Sequence, residues 1–221
     1  MRDVTCQTSF IANATRPTEL IMLPVRSSVS DQEDTRDGFR FRGGHPALDL
    51  TATLTGRLKE TQRDLLARPE DVVCWLRAAG FECGVSASDD PLLDTARRLR
   101  EAIYAMAMGR VTEQALPASA RAALNEIARL PATAPEIDSD NRARLRGEAD
   151  ALLAFVAREA ILLLGGEMAD RVRQCEGDGC AILFLDTSRS GDRRWCSMAA
   201  CGNRHKVAAF RQRKQKSPRR S

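Results

Sequence analysis

The sequence predicts an α+β chain: a mostly helical N-terminal domain followed by a small module of one β-hairpin and one basic helix gathered around four cysteines. Three observations predict it. Apolar residues recur at three-or-four spacing over much of residues 46–164, four cysteines fall together in the last quarter, and positive charge concentrates at the C-terminal end. The 221 residues are 43% hydrophobic and 29% charged, the balance of a folded protein rather than a disordered or fibrous one. The longest apolar run, Ala151 to Ala157, is far short of the roughly 20 residues of a bilayer span, so no membrane partner is expected. Phe10 to Ala14 is too short and polar for a signal peptide, which makes the cytoplasm the expected location.

Residues 1–37 mix Thr, Ser, Arg and Asp with little periodicity and are expected to be a disordered extension. Phe39 and Phe41 alternate like a strand and run into a turn at Gly43-Gly44; Ala47, Leu48, Leu50 and Leu54 then suggest a helix after His45-Pro46. Pro69-Glu70-Asp71 opens a helix that Gly80 stops, with Pro at its first turn and acids at the positive end of its dipole. Ser88-Asp89-Asp90-Pro91 starts a longer one, whose stripe of Leu92, Ala96, Leu99, Ile103 and Met106 faces a core. Pro117 and Pro131 bound a third, over Ala118 to Leu130. Residues 132–147 read as a hairpin or loop, and a last helix from about Glu148 ends at Gly165-Gly166. The helical domain is expected over 38–168, the cysteine module over 170–216 and a basic tail over 217–221.

Cys175, Cys180, Cys196 and Cys201 are spaced as Cys-x4-Cys, fifteen residues, then Cys-x4-Cys. Two short pairs of thiolates separated by a hairpin can surround one zinc ion tetrahedrally, with bonds of about 2.3 Å. The hairpin is expected between the pairs, Ala181 to Thr187 going out and Arg193 to Ser197 returning. Gly177 and Gly179 can take positive φ and turn backbone N–H groups toward the sulfurs. The alternatives are two disulfides, which a reducing compartment disfavours, and an iron–sulfur or redox centre. Four thiolates leave a zinc site at a charge of about −2, which Arg173, Arg193, Arg194 and Arg204 can offset, and with no open position the metal is structural. Cys6, Cys74 and Cys83 have no paired spacing and read as incidental thiols.

The run Arg193-Arg194-Trp195-Cys196-Ser197-Met198-Ala199-Ala200-Cys201-Gly202-Asn203-Arg204, with Cys175, Cys180 and Phe184 to Ser188 before it, resembles the CGNR zinc-finger family, named for the tetrad found here as Cys201 to Arg204. Gly43-Gly44, Ala47 to Leu50 and Trp75-Leu76-x3-Gly80 resemble the ABATE domain that usually precedes that finger; Ala52-Thr53 stands where that family often has Asn-Thr. The resemblance covers about residues 40–214 and implies a stress-induced transcription regulator with one structural zinc.

From Arg171 onward there are 13 Lys or Arg against 4 Asp or Glu, net +9, which leaves residues 1–170 at net −5. Such asymmetry points to a polyanionic partner at the C-terminal end. A helix from Cys201 to about Lys216 would seat Val207 and Phe210 against Trp195 and Phe184 and hold its cations outward. Few aromatic residues are left for stacking on unpaired bases, so duplex DNA is the expected partner rather than single-stranded RNA. The candidate contacts are Arg193, Arg194, Asn203, Arg204, Lys206, Arg211, Arg213, Lys214 and Lys216. Two of them have structural alternatives: Asn203 can cap the helix, and Arg204 can pair with the zinc site or Asp186. A finger used for protein contacts is the competing reading. No His-Glu-x-x-His, Gly-x-Ser-x-Gly or phosphate-loop pattern marks an enzyme, although Asn203 and His205 beside a cysteine pair bear a faint likeness to a His-Asn-His nuclease. Gly43-Gly44-His45-Pro46 could form an anion site or, more simply, a turn. The helical domain is expected to sense a small-molecule effector or to pair two copies of the chain.

Overall fold

Apolar stripes decide which helix faces meet in the computed structural model, which describes residues 34–84 and 90–216, with side chains as far as Lys214. Helix α3 (Asp90–Val111) is central and buries Leu92, Leu93, Ala96, Leu99, Ile103 and Met106. Against it pack α1 (Pro46–Thr51), α2 (Pro69–Ala79), α4 (Ala118–Ala128) and α5 (Ala149–Gly165). Pro at the first turn fixes the entry to α2, where the Asp71 carboxylate accepts from the Arg68 N–H at 2.9 Å and the Ala67 N–H at 3.0 Å. Gly80, at φ 98°, ends it, because only a residue without Cβ takes that conformation without strain. α5 is apolar around most of its girth and accordingly buries Leu152, Leu153, Val156, Ala160, Leu163 and Leu164.

The strands are short. β1 (Thr35–Arg36) pairs antiparallel with β2 (Phe39–Arg40), and β3 (Leu54–Thr55) with β4 (Arg63–Asp64). β6 (Pro135–Ile137) and β7 (Ala143–Gly147) form a hairpin, with β5 (Glu82–Cys83) added parallel to β7. The region expected as a hairpin or loop is thus a hairpin. The fold begins earlier than the sequence indicates: Thr35 pairs with Arg40, and the Phe41 N–H donates to the Asp34 carbonyl at 2.7 Å. Two-residue strands carry no hydrophobic period, which is why 34–37 read as part of the extension. The remainder of that extension, Cys6, Ser88 and Asp89, and the 217–221 tail lie outside the described residues.

β8 (Val172–Gln174) and β9 (Leu183–Leu185) pair antiparallel, Val172 opposite Leu185. This corrects the expected hairpin. The first cysteine pair lies at the turn of the hairpin instead of before it, and residues 193–197 form no strand. Leu183, Phe184 and Leu185 are all buried, and the edge of the strand away from β8 is met by the Gly43 turn and not by residues 193–197. Val172, Leu183 and Leu185 belong to the same core as the helices, with β9 lying on α1 and β8 on α3. The Leu185 N–H donates to the Gly43 carbonyl at 2.8 Å, while the Gly43 N–H donates to the Asp49 carboxylate at 2.7 Å. Gly43 has to be glycine, since a Cβ there would stand 2.8 Å from the Leu48 Cβ and 3.0 Å from the Asp49 nitrogen.

The glycine run before α1 is a turn. His45 caps α1, its Nδ1 accepting from the Ala47 N–H at 3.3 Å, and its Nε2 faces the Glu159 carboxylate at 3.8 Å. Burial pushes His45 down to about 4 and raises Glu159, so the imidazole is neutral at pH 7. Burial raises the Asp49 carboxyl to about 7, against the opposing hydrogen bond from Gly43.

Candidate functional site

Four sulfurs converge where β8, the segment after β9 and a five-residue π turn (Met198–Gly202) meet. Cys175, at the end of β8, is fixed by its N–H donating to the Ile182 carbonyl at 2.9 Å. The Cys180 N–H closes the first loop on the Gly177 carbonyl at 2.9 Å, with Gly179 at φ 63°. In the second pair, Ser197 caps the π turn: its Oγ accepts from the Ala200 N–H at 3.2 Å and its carbonyl from the Cys201 and Gly202 N–H groups, each at 3.0 Å. The Glu176 N–H donates to the Arg194 carbonyl at 2.9 Å and ties the two pairs together.

The ligand atoms of Cys175, Cys180, Cys196 and Cys201 all lie within 4.8 Å of one another. Cys180 and Cys196 are 4.0 Å apart, Cys196 and Cys201 3.8 Å. A tetrahedron with bonds of about 2.3 Å has edges of about 3.8 Å, whereas a disulfide would hold its sulfurs at about 2.05 Å. The arrangement therefore fits one structural zinc ion held by four cysteines. A Cβ on Gly177 would come within 3.0 Å of the Cys201 sulfur, so the absent side chain is what lets the first loop close over the cluster. The Gly177 and Cys196 N–H groups donate to the Cys175 sulfur at 3.4 and 3.3 Å. Without a cation, hydrogen bonds from the neighbouring thiols lower Cys175, and holding those bonds raises Cys180 and Cys196, so the sulfurs do not ionise together. A divalent ion removes that conflict. Cys83 is buried and Cys74 exposed, both outside the cluster.

Asp186, directly after β9, braces the site. It is buried, accepts from the Ser188 N–H at 2.9 Å, the Ser188 hydroxyl at 2.6 Å and the Arg193 N–H at 2.9 Å, and its own N–H donates to the Arg171 carbonyl at 2.8 Å. Burial works against ionisation, yet the Ser188 and Arg193 donors keep its carboxyl below the usual range. Sequence reasoning missed this role, although Asp-x-Ser after an apolar strand is a signal for such a turn.

The nine candidate cation and amide positions divide. The Arg193 guanidinium donates to the Trp195 carbonyl at 2.8 Å and to the Cys196 carbonyl, and lies 4.8 Å over the Phe184 ring. Arg194 is hydrogen-bonded to Glu176 at 2.7 Å and stacks on Trp195. Of its two structural alternatives Arg204 takes the zinc site, donating to the Cys201 sulfur at 3.0 Å, and not Asp186. Asn203, Lys206, Arg211, Arg213 and Lys214 are exposed on α6 (Asn203–Lys216), and the side chain of Lys216 lies outside the described residues. The capping role considered for Asn203 belongs to Ser197, since the π turn runs straight into α6. Val207 and Phe210, expected against the hairpin, are 48% and 51% exposed. His205, itself exposed, lies nearer the finger, its ring 5.4 Å from Trp195, and Ala209 one turn on is half-buried, so the helix leaves the cluster with its 205/209 side and not its 207/210 side toward the finger.

Among the described residues no helix is long and apolar enough to cross a membrane. No curated protein matches the chain. Residues 171–214 match the CGNR zinc finger, and residues 44–167, more than half of the chain, match the ABATE family, described as "Putative stress-induced transcription regulator". Neither description names a reaction. With the helical body and the four-cysteine cluster following in that order, the chain belongs to the ABATE family and carries a CGNR zinc finger at its C-terminal end.

Proposed function

We propose that the protein is a transcription regulator that binds duplex DNA through α6, with one structural zinc holding that helix on the body. The observation that carries this reading is the charge of α6. Residues 203–216 contain no acidic residue, and Lys206, Arg211 and Arg213 make no ion pair with any described residue. An array of unneutralised cations on one helix repels itself unless a polyanion covers it. Arg193 and Arg194, engaged within the finger, are left out of the proposed contact face.

Binding of the zinc-loaded chain to a random-sequence duplex should weaken with salt. Each phosphate contact contributes about −0.9 to the log-log slope, so Lys206, Arg211, Arg213, Lys214 and Lys216 together give a slope of about −3 to −5. Changing Arg211, Arg213, Lys214 and Lys216 to Ser should abolish binding. Salt-insensitive association, or full binding by that variant, would refute the reading and favour a protein partner.

A further inference from the structure

Resting on the duplex reading above, we propose that the outward face of α6 reads thymine methyl groups in the major groove, with Asn203, Val207 and Phe210 as the reading residues. The side turned toward the finger is marked by His205, whose ring lies 5.4 Å from Trp195, and by Ala209 one turn on, which is half-buried. At 100° per residue, Val207 points the opposite way from His205, with Asn203 one turn before it and Phe210 one turn after. Those three residues therefore share the face turned away from the finger. All three are exposed.

What else stands on this face narrows the chemistry. Arginine to guanine is the commonest base contact; Arg204 is held by the Cys201 sulfur, and Arg211, the other arginine beside this face, is one of the cations assigned above to phosphate. Asn203 has no such engagement, and its amide suits the adenine edge. Beside it, Val207 with Ala199, Ala200 and Ala208 lines the apolar part of a shallow hollow of about 550 Å³ that Arg204 and Arg211 also line. Lys214 lies 5.3 Å over the Phe210 ring, which places a phosphate-seeking cation beside an apolar contact. Two large apolar side chains among cations are too few for a protein interface of about 800 Å² per partner. They match the methyl groups of single thymines, which the major groove presents beside the adenine edge. A helix about 10–12 Å across enters a groove about 12 Å wide.

The test uses the full zinc-loaded chain. Duplexes selected from a random pool should be enriched in A·T pairs, and replacing their thymines by uracil, which removes only the methyl groups, should weaken binding about three- to tenfold. Val207→Ala with Phe210→Ala should bind the uracil duplex as the parent does and lose the preference for thymine; Asn203→Ala should relax the preference for adenine. Equal affinity for thymine and uracil duplexes, a motif without thymine, or discrimination retained by the double variant would overturn the proposal while leaving duplex binding in place. Absence of any duplex binding would instead defeat the function proposed above, and this proposal with it. Zinc content and far-UV circular dichroism of the variants, whose altered side chains are exposed, separate a lost contact from a lost fold.

Discussion

Truncating Leu185 to alanine tests whether the finger and the helical body are one cooperative structure. Leu185 is 1% exposed and lies in the core shared with α1 and α5, yet it stands directly before Asp186, whose hydrogen bonds brace the cysteine cluster. Alanine keeps the N–H that donates to Gly43 and removes three buried carbons, a loss of about 2–5 kcal/mol. For a chain of this size each kcal/mol lowers the melting temperature by about 2–4 °C, so a loss near 3 kcal/mol lowers it by about 6–12 °C. The chain has two tryptophans, Trp75 buried in the body and Trp195 in the finger, so replacing either by phenylalanine leaves a reporter for the other part. Thermal melts followed by far-UV circular dichroism and by each tryptophan should fall together. If the Trp195 signal shifts while the helical signal and Trp75 stay where they were, the finger is an independent appendage and the shared core does not act as one.

Asp49→Asn should change how stability depends on pH. The folded chain holds the Asp49 proton up to about pH 7, whereas an unfolded carboxyl releases it near 3.8, so between those limits the folded state binds more protons. The stabilisation is complete below the lower limit and is lost as pH rises through the upper one; asparagine, which still accepts from Gly43, should therefore gain on the parent across that window by up to about 4 kcal/mol, and parallel denaturation curves from pH 4 to 8 would count against a buried neutral Asp49. Changing any one of the four cluster cysteines to serine should remove the zinc, measured as metal per chain after gel filtration; stoichiometric zinc in Cys175→Ser, Cys196→Ser protein would exclude the tetrathiolate site. Arg204→Ala should speed zinc transfer to a chelator and expose Cys201 to alkylation before the other three, whereas Lys206→Ala should change neither.

Where a signal is local in the chain, it was legible. The proline and glycine that bound α2, the stripe of α3 and the spacing of the four cysteines each state their structure within a few residues, because caps, periodicity and ligand geometry act over that range. What escaped depends on contacts between distant residues. Nothing in Leu183-Phe184-Leu185 says that this strand pairs with residues before the first cysteine, or that it packs on α1, about 135 residues earlier; alternation cannot name a partner. The exposure of Val207 and Phe210 was equally hidden, since apolar residues three apart indicate a shared face and not which way that face is turned. Arg204 offered two structural partners and a base, and only the rotation set by the π turn chose the sulfur of Cys201.

That π turn has a further consequence. Starting a helix is its unfavourable step, because several residues must be fixed for the first hydrogen bond, and 14 residues on their own rarely stay helical in water. Here Cys201 lies inside the helical turn that leads without a break into Asn203, so the ligand that fixes the metal also fixes the first turn of α6. A bound zinc ion would thus serve as the nucleus from which the helix propagates. A chain stripped of zinc keeps every lysine and arginine but loses the template that sets their spacing, so metal occupancy and the order of the basic array rise and fall together.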